Sequence, residues 1–90
     1  PVFGVKWLTR PTDIAILTEV NSINEFRAQL FHFGTEPRKM KVRFLNLANG
    51  KYTLKLSGSK KTTFELSTDQ REVDITLPPQ KLCKIKVKND

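Results

Sequence analysis

The sequence has few of the residues on which catalysis and covalent cross-linking depend. It contains one cysteine and one histidine, so an internal disulfide and a two-histidine metal site are excluded. Its four glycines are isolated from one another, which excludes a glycine-rich phosphate loop. No segment approaches the ~18 consecutive apolar residues of a membrane-spanning helix. We therefore expect no catalytic residue, cofactor, metal ion or membrane contact in this chain.

The residues that could take part in catalysis are each expected to have a structural role instead. His32 lies between two phenylalanines and is expected to be an ordinary sheet residue. Cys83 is flanked by Leu82 and Ile85 and is expected to be a small buried residue. Glu72 and Asp74 are the only acidic pair expected on one strand face, and their spacing suits salt bridging better than acid–base catalysis.

Basic residues are in excess. Lys and Arg total 16 against 9 Asp and Glu, a formal charge of +7. The lysines fall mostly at alternate strand positions, which is typical of a solvated outer sheet face. The alternative is a surface that binds an anionic polysaccharide or another acidic polymer. Its candidate contact residues are Lys41, Arg43, Lys84, Lys86 and Lys88.

Alternation of apolar and polar residues is clearest over residues 42–56. Val42 and Phe44 alternate with basic residues. Beyond residues 49–50, apolar side chains alternate with polar ones, the apolar side chains being Tyr52, Leu54 and Leu56. This period of two predicts two strands, each with one apolar face. The Asn-Gly at residues 49–50 predicts that they form a hairpin closed by a tight turn.

Residues 22–33 admit two interpretations. Ser22 followed by Glu25 matches a helix capping box. We favour a strand, because the helix would have fewer than three turns and depends on one short match. In the strand, Phe26, Ala28 and Leu30 share the face of His32, while Arg27, Gln29, Phe31 and Phe33 lie on the other. A segment apolar on both faces near its end is typical of a central strand.

The last segment carries two further alternating runs, at residues 72–77 and 83–87. Pro78 and Pro79 separate them and predict a corner, because neither proline has an N–H group to donate. If the two runs pair, Glu72 and Asp74 would face Lys84 and Lys86 on the outer face, and these contacts would help to set the register.

The two largest aromatic side chains are predicted to pack in the interior. Tyr52 shares its face with Leu54 and Leu56, and Trp7 shares its face with Phe3 and Val5. This placement favours burial over an exposed sugar-binding platform. A nucleic-acid partner is not expected, because the exposed aromatic rings on which bases stack are missing.

These elements predict one all-β domain over residues 1–90, an antiparallel β-sandwich of immunoglobulin-like size. About seven or eight short strands are expected, separated by turn signals at roughly 8–12-residue intervals. The first residue is Pro rather than Met, which indicates a processed product or a fragment of a longer chain, and we favour the fragment.

Three motifs resemble a known group of domains. They are QLFHFGTEPRKMKV at residues 29–42, LANGKYTL at 47–54 and ITLPPQKLCKIKV at 75–87. In this order they resemble the C-terminal β-sandwich accessory domains of glycoside hydrolases and other polysaccharide-degrading enzymes. The resemblance covers residues 26–87, and the lysine-rich last strand departs from it.

The resemblance implies a non-catalytic module of a secreted or periplasmic enzyme. Such a module would pack on the catalytic domain of its own parent chain and stabilise it. Phe3, Val5, Trp7 and Leu8 are the candidate contact residues. Two alternatives remain, the anionic-polysaccharide binding module described above and a fibronectin-like structural spacer without a ligand. The oligomeric state is not predicted.

Overall fold

The computed structural model describes residues 5–10 and 12–90. The described residues form eight β-strands and contain no helix. The strands are β1 Val5–Trp7, β2 Ile14–Asn21, β3 Glu25–His32, β4 Arg38–Phe44, β5 Gly50–Leu56, β6 Thr62–Leu66, β7 Glu72–Leu77 and β8 Lys81–Asn89.

Two antiparallel sheets pack face to face as a β-sandwich. One sheet has three strands in the order β1-β4-β7, and the other has five in the order β2-β3-β8-β5-β6. Every neighbouring pair is antiparallel. The predicted fold class and strand number are confirmed.

The core consists of the inward-facing residues of both sheets, as the alternation predicts. Phe44 of β4 and Tyr52 of β5 are fully buried, and Ile75 of β7 is 4% exposed. Phe44 packs edge-on against Phe26 with ring centroids 5.7 Å apart, and Phe64 stacks at 5.9 Å on both Phe44 and Tyr52. These rings join the two sheets through the centre of the sandwich.

Residues 25–32 form a strand, so the helical alternative is wrong. The backbone N–H of Glu25 donates to Ser22 Oγ at 3.0 Å, which is the local bond expected of a capping residue. However, Ser22 also donates its backbone N–H to the Glu25 carbonyl at 2.9 Å, which closes the β2–β3 hairpin. The capping match therefore marks a turn. β3 lies between β2 and β8, as expected of a central strand.

The predicted hairpin over residues 42–56 is also wrong. β4 belongs to the three-stranded sheet and β5 to the five-stranded sheet, so residues 45–49 cross from one sheet to the other. Gly50 has φ +143°, whereas Asn49 is not among the residues with positive φ. A type I′ hairpin turn needs positive φ at both central residues. Leu47 is 3% exposed and fills the core within this crossing.

The Pro78-Pro79 corner is confirmed, but the pairing expected on either side of it is wrong. β7 lies in the three-stranded sheet and β8 in the five-stranded sheet, so Glu72 and Asp74 do not face the lysines of β8. They lie opposite Arg43 and Lys41 of β4 instead. The chain changes sheet at the prolines, because neither of them can continue a ladder.

One arginine holds the crossing at residues 45–49 in place. Arg71 Nε donates to the Phe44 carbonyl at 2.7 Å, and Nη1 donates to Asn49 Oδ1 at 2.8 Å. Nη2 donates to the carbonyl of Leu47. A single guanidinium therefore bonds both ends and the middle of the segment that links the sheets.

We expect Arg71→Ala to lower the free energy of unfolding by about 3 kcal/mol, because it removes several hydrogen bonds from a charged donor to backbone carbonyls. Urea denaturation measures this loss. Lys60→Ala, in the exposed connection after β5, is the control and should change the value by less than about 0.5 kcal/mol. Equal losses in both variants would contradict the assigned role.

Candidate anion-binding face

The predicted cation set is divided between the two sheets. Lys41 and Arg43 lie on β4, while Lys84, Lys86 and Lys88 lie on β8. All five point away from the core, because the inward positions of both strands are buried apolar residues. The outer faces of a sandwich point in opposite directions, so these residues do not form one surface.

The three-stranded sheet places an acidic residue opposite each of its two predicted contact residues. Arg43 Nη2 lies 2.5 Å from Glu72 Oε2, and Lys41 lies opposite Asp74 in the ladder. The hydrogen bond from Arg43, with the charges of Arg43 and Lys41, holds the pKa of the Glu72 carboxyl below its ordinary value of 4.5. These two residues are therefore less available to an anionic ligand than cations without an acidic neighbour.

On the five-stranded sheet, β8 and its two neighbours bring cations side by side. In the ladder Lys86 lies directly opposite Arg27 on one side and opposite Lys55 on the other. Lys84 and Lys88 lie two residues away along the same strand. Within the described chain, none of these four lysines forms an ion pair. Like charges directly opposite each other destabilise a sheet, so this arrangement has a cost in the folded protein.

Four acidic residues adjoin this surface, and one of them, Glu19, accepts a hydrogen bond from Gln29 Nε2 at 3.0 Å. Glu25 lies 3.1 Å from Arg27 on its own strand, and Glu65 lies opposite Lys51 on β5. Asp90 accepts a hydrogen bond from the Thr53 hydroxyl. The excess of lysine along β8 and β5 therefore persists on the outer face.

A depression of about 340 Å³ lies at the centre of this basic surface. The residues that line it are Thr53, Lys55, Lys61, Lys86, Lys88, Asn89 and Asp90. Three of these had not been predicted as contacts although they are charged. Strand alternation places Lys55 on an outer face, but only the register shows that it stands beside Lys86. We call Arg27, Lys55, Lys84, Lys86 and Lys88 the basic band.

The residues predicted to contact another domain do not form one exposed surface. Val5 belongs to the core of this sandwich, which is a correction to its predicted role. Trp7 is half-buried and packs against the same core, as its alternation predicts. Leu8 is 37% exposed and is available for contact. Phe3 lies outside the described residues.

Exposed aromatic side chains are present at positions that the sequence analysis had assigned to a covered strand. Phe33 is 60% exposed, and its ring centroid lies 4.7 Å from that of the half-buried Phe31. Leu17 and Leu82 on the neighbouring strands are 62% and 50% exposed. The expectation that exposed rings are missing is therefore wrong. We call Leu17, Phe31, Phe33 and Leu82 the apolar patch.

Cys83 is buried, as expected, and His32 is a buried residue of β3. His32 Nδ1 lies 3.0 Å from the Pro78 carbonyl, a contact between β3 and the proline corner. Burial raises the pKa of the Cys83 thiol above its ordinary value of 9.0, which keeps the unreactive protonated form at neutral pH. Among the described residues, no group of three metal-ligating side chains occurs and no helix is long and apolar enough to cross a membrane.

Comparisons with known proteins find no matching family model, curated protein or solved structure. The likeness to accessory domains of polysaccharide-degrading enzymes is therefore a prediction that depends on the three sequence motifs.

The Arg43–Glu72 pair makes stability depend on pH. The pKa of Glu72 is depressed in the folded protein, so its contribution is present above the unfolded pKa and is lost as pH falls through the folded pKa. We expect Glu72→Gln to melt at a lower temperature than the wild type at pH 7, with the difference shrinking below about pH 4.5. Melting curves from pH 7 to pH 2 measure this.

Glu65→Gln is the matched control, because Glu65 lies opposite a lysine but forms no ion pair within the described chain. Its melting temperature should follow the wild type more closely across this range. A difference between Glu72→Gln and the wild type that stayed constant down to pH 2 would contradict the assignment.

Proposed function

We propose that this domain is a non-catalytic module that binds an acidic polymer through the outer face of its five-stranded sheet. The observation that carries the proposal is the position of Lys86, which lies between Arg27 and Lys55 with no anion opposite it. An acidic polymer laid across this face would replace a repulsive contact with an attractive one.

The basic band suits an extended anionic chain. Lys84, Lys86 and Lys88 repeat along β8 at about 6.7 Å, twice the rise per strand residue. The charges beside Lys86 lie on strands spaced at about 4.8 Å. Charges at these intervals present several contacts at once to a polymer, whereas a small anion would use one or two. Flexible lysine side chains adapt to different anion spacings. The contacts are between exposed charges, which salt screens, so binding is expected to weaken strongly as the salt concentration rises.

Heparin chromatography tests the proposal with anionic polysaccharide as the probe. The triple variant Lys84→Gln, Lys86→Gln and Lys88→Gln should elute at roughly half the salt concentration of the wild type, because the screened charge–charge term dominates such binding. The wild type should be retained above about 0.15 M salt.

The matched control removes three lysines from the other sheet. Lys6→Gln, Lys39→Gln and Lys41→Gln change the net charge by the same amount, but they lie on the three-stranded sheet. This variant should elute close to the wild type. Equal shifts in the two triple variants would mean that retention reports net charge alone, and would contradict a site on the five-stranded sheet.

A second proposal follows the sequence resemblance. The domain would then pack on the catalytic domain of a secreted or periplasmic carbohydrate-active enzyme, with Leu8 and Trp7 at the contact. Its support is the exposure of Leu8 beside the half-buried Trp7 at β1, an edge of the three-stranded sheet. Such contacts within one chain cover about 600–1,500 Å².

The complete gene tests this second proposal. We expect a glycosidase or lyase domain encoded ahead of residue 1. A gene without such a domain would contradict it, and tandem copies of this module would favour the structural spacer instead.

A further inference from the structure

The apolar patch and the basic band are parts of one continuous surface. Phe31 of β3 lies opposite Leu82 of β8, and the next outward pair along the same two strands is Gln29 and Lys84. The pair after that is Arg27 and Lys86. Rows of outward side chains repeat at about 6.7 Å along a strand. Phe31 therefore lies two rows, and the exposed Phe33 about three rows, from the Arg27–Lys86 pair at the centre of the basic band.

Phe33 holds an exposed ring against the half-buried Phe31. Phe33 continues the β2–β3 ladder through a hydrogen bond from its backbone N–H to the Asp13 carbonyl at 2.8 Å. Its ring rests on Phe31 at 4.7 Å and an interplanar angle of 49°. The ring is 60% exposed although the backbone of Phe33 is hydrogen-bonded. Its apolar surface is therefore in water, and covering it would contribute favourable free energy to binding. Contact with another π-face would cover this area.

The immediate neighbours of the rings indicate which kind of ligand fits. Ala15 lies opposite Phe31 on β2, Leu82 lies opposite it on β8, and Leu17 is one outward position further along β2. None of these side chains donates or accepts a hydrogen bond. A sugar ring could stack by its apolar C–H face, but sugar sites usually also bond the ring's hydroxyls, and these three side chains cannot. A flat heteroaromatic ring can stack by its face and keep its polar edge in water.

We propose that the acidic polymer is a single-stranded nucleic acid, whose bases stack on Phe31 and Phe33 while its phosphates contact the basic band. This inference rests on the proposed function, because it needs the basic band to bind an acidic polymer. Single-stranded binding surfaces combine a positive track for the backbone with aromatic rings for the bases. The apolar neighbours provide no base-edge contacts, so binding is insensitive to base sequence.

Charge disfavours a second copy of this chain as the occupant. Two such faces brought together would place one basic band near another, and like charges across an interface oppose association. The charge complementarity points to an anionic partner, and the exposed rings point to one that also carries flat apolar groups.

Fluorescence anisotropy with two labelled twelve-nucleotide strands tests the inference. One strand is oligothymidine, and the other is an abasic strand of equal length and charge. The wild type should bind the base-bearing strand about tenfold more tightly, which is within the range expected for stacking of one base. Phe33→Ser should remove that difference, Phe33→Tyr should retain it, and Lys86→Gln should weaken both strands.

Leu45→Ser is the matched control, because Leu45 is a 50% exposed apolar residue that follows β4 and lies away from the patch. It should leave both affinities unchanged. Circular dichroism checks that each variant keeps its β structure, and Phe33→Tyr keeps the test informative if Phe33→Ser does not fold.

The outcomes separate this inference from the proposed function. Equal binding of the two strands, unaffected by Phe33→Ser but weakened by Lys86→Gln, would overturn the nucleic-acid assignment and support the acidic-polymer face. If neither strand binds and heparin does not retain the protein, the nucleic-acid inference and the proposed function are both overturned. Binding to vesicles of anionic phospholipid that depends on Phe33, without preference between the strands, would assign the patch to a lipid surface and overturn the inference.

Discussion

The structure depends on the burial of one face of every strand between two sheets. Phe44 and Tyr52 come from different sheets, and Phe64 stacks on both rings within the same core. Because strand side chains alternate, the residues between the buried ones must point to water on the opposite faces. The two outer surfaces are therefore consequences of the core, and the composition of each surface follows from which strands the core brings together.

The same constraint separates the charges into two unlike surfaces. β4 and β7 are neighbours, so Arg43 forms an ion pair with Glu72 and Lys41 lies opposite Asp74. β8 lies between β3 and β5, which supply Arg27 and Lys55 rather than acidic partners for Lys86. The basic band in this way brings five of the 16 basic residues together on one face. Local concentration, rather than net charge alone, gives a surface the field that attracts an acidic polymer.

Much of the fold could be predicted from local patterns, and the errors have a common cause. The alternation at Phe26, Ala28 and Leu30 correctly identified the buried face of β3. The Asn-Gly at residues 49–50 was interpreted as a hairpin turn, but a glycine with positive φ also serves a crossing between sheets. The exposure of Phe33 is not predicted, because hydrophobicity alone does not indicate whether the outer face of a central strand is covered.

The sequence by itself determined the strands, their approximate limits and the side of each strand that enters the core. These properties follow from a backbone period of two, which each segment carries independently of the others. Tertiary structure alone decided which strands are neighbours, and so which cations lie together, which lie opposite acidic residues and which rings are exposed beside them. Which strands pair depends on residues far apart in the chain, such as Arg27 opposite Lys86. No local sequence pattern contains that information.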